Sequence, residues 1–175
     1  MTELSADWID SWADLYERKN PGYDDAVLTK VGARVRQRGA YDRADLLEVG
    51  RWKSARALPS LGSNTDAMIA DITRTAFIAP EAIQHRVVAL LHGVGIPMAS
   101  SLLMVWQPDV HSVIDVRAVK SLVAHGVIDD PGSKSYPPYM DYLTACRAIR
   151  DRCKCSLRRL DRALYQANGA TRTAS

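Results

Sequence analysis

Apolar residues recur every three or four positions through nearly the whole chain, and the strict alternation of a half-buried strand is almost absent. The pattern therefore predicts an all-α protein with short connections. Over Ala6–Lys19 the residues Trp8, Ile9, Trp12, Leu15 and Tyr16 fall on one helical face, and Asn20-Pro21-Gly22 stops the helix. Asp24 or Asp25 is the expected cap of a second helix, which carries Val27, Leu28, Val31 and Val35 and ends at Gly39. Asp42 is the expected cap of a third, with Leu46, Leu47 and Val49 inward and Pro59 at its end. A fourth is expected over 63–78, with Met68, Ile69, Ile72, Ala76 and Phe77 at helical spacing.

Between 80 and 126 the pattern is more specific. Pro80 opens a helix with Ile83, Val87, Leu90 and Leu91 inward, Gly93-Val94-Gly95 breaks it, and Pro97 opens the next with Ala99, Leu102, Leu103 and Trp106 inward. Residues 80–107 thus read as two helices joined by a hairpin. A short extended connection over 110–114 leads to Asp115, and a helix with Val116, Val119, Leu122 and Val123 ends at Gly126, so 108–126 reads as an aspartate-bearing loop and helix. The proline-rich 129–138 is a loop. Residues 139–168 read as one long basic helix or two in sequence, and the small, polar tail 169–175 is expected to fray.

With 175 residues, 47% hydrophobic and 25% charged, the chain can bury the core of one domain or two small lobes, which excludes a disordered chain and a disulfide-dependent miniprotein. No apolar run reaches membrane-spanning length, and the acidic N-terminus lacks the form of a signal peptide; a cytoplasmic protein with no membrane partner is expected. Cys146, Cys153 and Cys155 fit reduced thiols. The net charge of +3 hides an asymmetry: residues 1–25 hold seven acids and two bases, and 146–175 hold eight bases and two acids. Residues 30–56 add eight bases against three acids. The two basic stretches read either as solvated helix faces or as a positive surface for a polyanion.

Two glycines around one apolar residue turn the chain tightly and bring main-chain N–H groups to a helix N-terminus, where a phosphate can bind without side chains. The segment from Leu91 to Ser100, with Gly93-Val94-Gly95 at its centre, resembles the hairpin of the helix-hairpin-helix base-excision DNA glycosylases. Asp115 lies twenty residues after Gly95, behind a short apolar run and at a helix start, and Ser112-Val113-Ile114-Asp115 resembles the element that carries that family's aspartate. The resemblance implies a two-lobed helical bundle of that glycosylase type, with double-stranded DNA as partner and hydrolysis of the N-glycosidic bond of a damaged or modified base. Asp115 would stabilise the positive charge that develops on the sugar or orient the attacking water. Gly93, Val94 and Gly95 would grip the phosphate, with Ser100 and Ser101 close by. Read from the residues alone, Asp115 is equally a helix cap.

Family members that also nick DNA carry a lysine where this chain has Pro97, so the resemblance implies a monofunctional enzyme. Lys53 is the candidate substitute nucleophile from another helix, or a surface lysine. Neither a four-cysteine cluster nor a zinc site is expected from the cysteine and histidine spacing, and no cofactor is required; the resemblance allows a monovalent cation at the hairpin. Trp52, Tyr41 and Trp106 are candidates to stack on an extruded base or wedge the duplex, or else core residues. The alternative to an enzyme is a helix-hairpin-helix module that binds DNA without cleaving it, as an accessory to repair or phage defence. A helical protein-interaction domain is the third reading.

Overall fold

The computed structural model describes residues 4–24, 26–132 and 136–170, and among them it is all-helical with no strand. Asp25 as a cap, Arg172 as a basic residue and the end of the tail, 171–175, lie outside the described residues. The chain divides into two compact units, 1–21 with 109–175 and 22–108.

The first unit contains α1 (Ala6–Lys19), α8 (Val116–Ala124), α9 (Tyr139–Cys153) and α10 (Leu157–Ala170). Helix α1 starts where Ser5 accepts a hydrogen bond from the Trp8 amide. It buries Ile9, Ala13 and Tyr16, and it packs on α10, which buries Leu157, Leu160, Ala163 and Leu164. The residues 139–168 form two helices rather than one: Lys154 at φ 53° ends α9, the left-handed conformation that closes a helix. Along the α1–α10 seam, Arg159 donates to Asp10 at 2.5 Å and Asp14 at 2.7 Å, and Arg162 to Glu17 at 2.7 Å. The acids of the N-terminus and bases of the C-terminus thus answer each other within one unit.

The second unit contains a π-helical turn over Ala26–Val31, then α2 (Gly32–Arg38), α3 (Arg43–Ser54), a short 3₁₀ turn, α4 (Leu58–Gly62), α5 (Asp66–Ile78), α6 (Glu81–Val88) and α7 (Ile96–Trp106). Helix α7 is its centre, with Met98, Ala99, Leu102, Leu103, Met104 and Val105 all buried, more of the helix than the single inward face that the spacing predicts. Asp42 caps α3 through the Asp45 amide at 2.8 Å, as its spacing predicts. Two boundaries differ from the sequence reading. Pro59 does not end a helix but sits in the first turn of α4, where its missing N–H costs nothing. Helix α5 starts at Asp66 rather than 63, because Thr65 provides the capping oxygen. The Asp24 carboxylate accepts from the Trp52 indole at 3.0 Å.

Candidate functional site

In the second unit the hairpin joins α6 to α7 as the spacing predicts. Gly93 has φ +80°, and a Cβ built there would lie 2.8 Å from Ser60 Cβ and 3.1 Å from the Leu61 amide nitrogen. Both conformation and packing demand glycine at this position. Gly95 is different: it is exposed, has φ −87°, and an added Cβ would meet nothing nearer than Pro97 Cδ at 3.9 Å. Gly95 is the N-cap of α7 and offers that helix no side-chain cap, so the first-turn donors are left to another partner.

A residue that carries no signal in the sequence fixes this turn. Buried Asn64 accepts from the His92 amide at 2.8 Å and donates to the His92 carbonyl at 3.0 Å and the Leu61 carbonyl at 2.9 Å. One amide side chain therefore replaces a pair of main-chain bonds to the hairpin. Val94 cannot contribute as expected: its amide donates to the Leu91 carbonyl at 3.1 Å and its side chain is buried. Ser100 and Ser101 are also corrected. Both are fully buried and both hydroxyls donate to the Pro97 carbonyl, at 2.9 and 2.8 Å, satisfying themselves within α7. The Leu91 and His92 carbonyls of the hairpin accept hydrogen bonds from the Val94 amide and the Asn64 side chain.

Of the three aromatic candidates, Tyr41 is excluded as a base pocket: it is fully buried and its hydroxyl donates to the Leu102 carbonyl at 2.8 Å. Trp106 is half-buried and lies flat on Phe77, ring centroids 3.9 Å apart, so one face is already covered. Trp52 is half-buried with its indole N–H held by Asp24. Lys53, on the last turn of α3, is half-buried as well.

In the first unit Asp115 is half-buried and its Oδ1 accepts from the Ala118 amide at 2.9 Å, the capping bond of α8. The connection in front of it is irregular, and its polar groups are met by side chains of α9 and α10. Arg147 donates twice to the Val110 carbonyl, at 2.7 and 3.2 Å, and Arg150 to the Asp109 carbonyl at 3.2 Å. Tyr139 donates to the Ser112 carbonyl at 3.1 Å and Tyr142 to the Val113 carbonyl at 2.9 Å. Asp161, buried on α10, accepts from the Ser112 hydroxyl and from the Val113 amide at 3.1 Å, and Arg158 stands 3.7 Å away. Burial pushes the Asp161 carboxyl up to about 6 despite these donors, and burial likewise raises Tyr139, Tyr142 and, to about 12, the Cys146 thiol.

The basic stretches supply less positive surface than their counts promise. Arg34 and Arg38 pair with Asp45, Arg36 donates to the Val105 and Trp106 carbonyls, and Arg43 to Asp66 and the Gly62 and Asn64 carbonyls. Arg152 donates to the Leu4 carbonyl at 3.0 Å. Lys30, Arg51, Arg56 and Lys154 remain exposed cations of these two stretches. Among the described residues no cluster of three potential metal ligands occurs, and no helix is long and apolar enough to cross a membrane. Comparison with protein-family models, with curated proteins and with solved structures finds no match.

Proposed function

We propose that the chain is a DNA glycosylase-like enzyme of the helix-hairpin-helix type, in which Asp115 assists hydrolysis of the N-glycosidic bond of a damaged or modified base in double-stranded DNA. The observation that carries this reading is the fastening of the segment that ends at Asp115. A capping aspartate needs only its own side chain and the amide three residues on. Here Tyr139, Tyr142, Arg147 and Asp161 all secure the main chain that delivers it. A half-buried carboxylate held in that way is suited to charge that appears only as the bond breaks. Gly95 adds to it, because neither its φ nor its surroundings require glycine, whereas a phosphate approaching the main chain does.

In the proposed reaction the target nucleotide leaves the stack. Water adds to the sugar carbon as the bond to the base breaks and releases one proton to solvent, the base departs with the bonding electron pair and is protonated from solvent, and an abasic site remains. Asp115 lowers the energy of the cationic sugar and aligns the water. Pro97 has no amine, so the strand is not cut by the enzyme. Gly93 and Gly95 form the turn against the phosphate, and Lys30, Arg51 and Arg56 add salt-sensitive attraction.

The capping bond from the Ala118 amide favours a second reading, a DNA-binding module without activity. The two are separated by incubating the protein with duplexes that each carry one lesion and treating the products with alkali. Strand scission only after alkali is the expected result. Duplex binding with no release across the panel leaves the module, and a covalent adduct trapped by borohydride overturns the monofunctional assignment and points to Lys53.

A further inference from the structure

Among the described residues, the most deeply buried acid of the first unit is not a candidate for contact with DNA. We propose that Asp161 is the positioning residue for Asp115, holding the 112–114 main chain through Ser112 and Val113 so that the Asp115 carboxylate keeps one place at the start of α8. The proposal rests on the glycosylase reading for its role in the reaction, but its structural part stands without it.

Asp161 is only 3% exposed, and both its oxygens are occupied by the segment: one by the Ser112 hydroxyl, the other by the Val113 amide. These are the third and second residues before Asp115, so the clamp grips the chain just ahead of the functional carboxylate. An ionised carboxylate accepts from both donors at once through charge-assisted bonds, whereas a protonated one holds the segment through weaker neutral bonds. The clamp is therefore tightest when Asp161 is charged.

Its surroundings determine when that happens. Asp115 and Ser112 face it from the connecting segment, and Arg158 from α10 itself. From α9, the fields of Asp161 and of Tyr139, Tyr142 and Cys146 overlap, with Arg147 next to Tyr139, which stacks on His111. Helices α1 and α8 meet α10 with other groups: Asp10, Asp14 and Glu17 at Arg159 and Arg162, and Arg117 over Tyr165. Arg158, Ser112 and Val113 favour the charged carboxylate, and burial opposes it more strongly.

The test uses the full chain, Asp161→Asn and the milder Ser112→Ala. Hydrogen exchange of the Ala118 amide, which Asp115 caps, reports on Asp115, and the amide of buried Ala13 on α1 serves as reference for the unit's stability. The expected result is exchange at Ala118 at least about tenfold faster in both variants, over and above any change at Ala13. In the wild type, after correction for intrinsic chemistry, Ala118 protection should weaken as pH falls through about 6 and should show no such step in Asp161→Asn. Single-turnover base release should slow by a similar factor with duplex affinity unchanged. Unchanged Ala118 protection in Ser112→Ala overturns the proposal whatever the rates do. Altered Ala118 protection in a protein that releases no base retains the clamp and overturns the glycosylase reading instead.

Discussion

The turn before α7 and the connection before α8 both lead an irregular stretch into a helix N-terminus, and they are secured in opposite ways. At the hairpin the constraint is mostly in the main chain: Gly93 occupies a conformation and a space closed to other residues, and Asn64 ties the adjoining peptide from the turn between α4 and α5. At the Asp115 segment the main chain is unremarkable, and the constraint comes from side chains of α9 and α10. A turn built from glycine exposes backbone and suits a partner recognised by its own backbone. A segment held by a buried polar network presents one side chain at a fixed place.

Substitutions can break this contrast. The largest loss of stability is expected at Gly93→Val, which combines a left-handed β-branched residue with a clash against Ser60 and Leu61; unfolding by denaturant should show a cost of about 2–4 kcal/mol. Asn64→Ala leaves the His92 amide and carbonyl unmatched and should cost about 1–3 kcal/mol by the same measurement. Asp161→Asn sharpens the comparison through pH. The folded protein binds the Asp161 proton more tightly than the unfolded chain does, so this group's contribution to stability is present below about 4 and lost as pH rises through about 6. The wild-type Tm should therefore exceed that of Asp161→Asn by more at pH 5 than at pH 7. Arg159→Ala, which removes the partner of Asp10 and Asp14, should cost less than about 1 kcal/mol, and less still in high salt. Gly95→Ala should leave stability within about 0.5 kcal/mol of wild type while weakening duplex binding, the reverse of Gly93→Val.

What could be read from the sequence divides along the same line. The hairpin, the Asp42 cap and the Asp115 cap are local signals, glycine, proline or a short polar side chain at a helix boundary, and all three lie where their spacing places them. Asn64 and Asp161 act across 28 and 49 residues, and no local pattern marks a buried polar side chain for such a task. Ser100 and Ser101 failed for a related reason: nothing in their spacing shows that α7 is buried on all sides. The charge asymmetry was visible, but its meaning was tertiary. Asp10, Asp14 and Glu17 line one face of α1 at helical spacing, a ladder that Arg159 and Arg162 on α10 complete, so much of that charge is an intramolecular seam.

The most direct test compares single-turnover base release by wild-type protein and by Asp115→Asn on one lesion duplex. Asparagine caps a helix as well as aspartate does, so α8 and the fold should survive the change. The account predicts release slower by about 10²–10⁴-fold with duplex affinity retained. Release at the wild-type rate by the asparagine variant would show that the Asp115 carboxylate has no part in the chemistry.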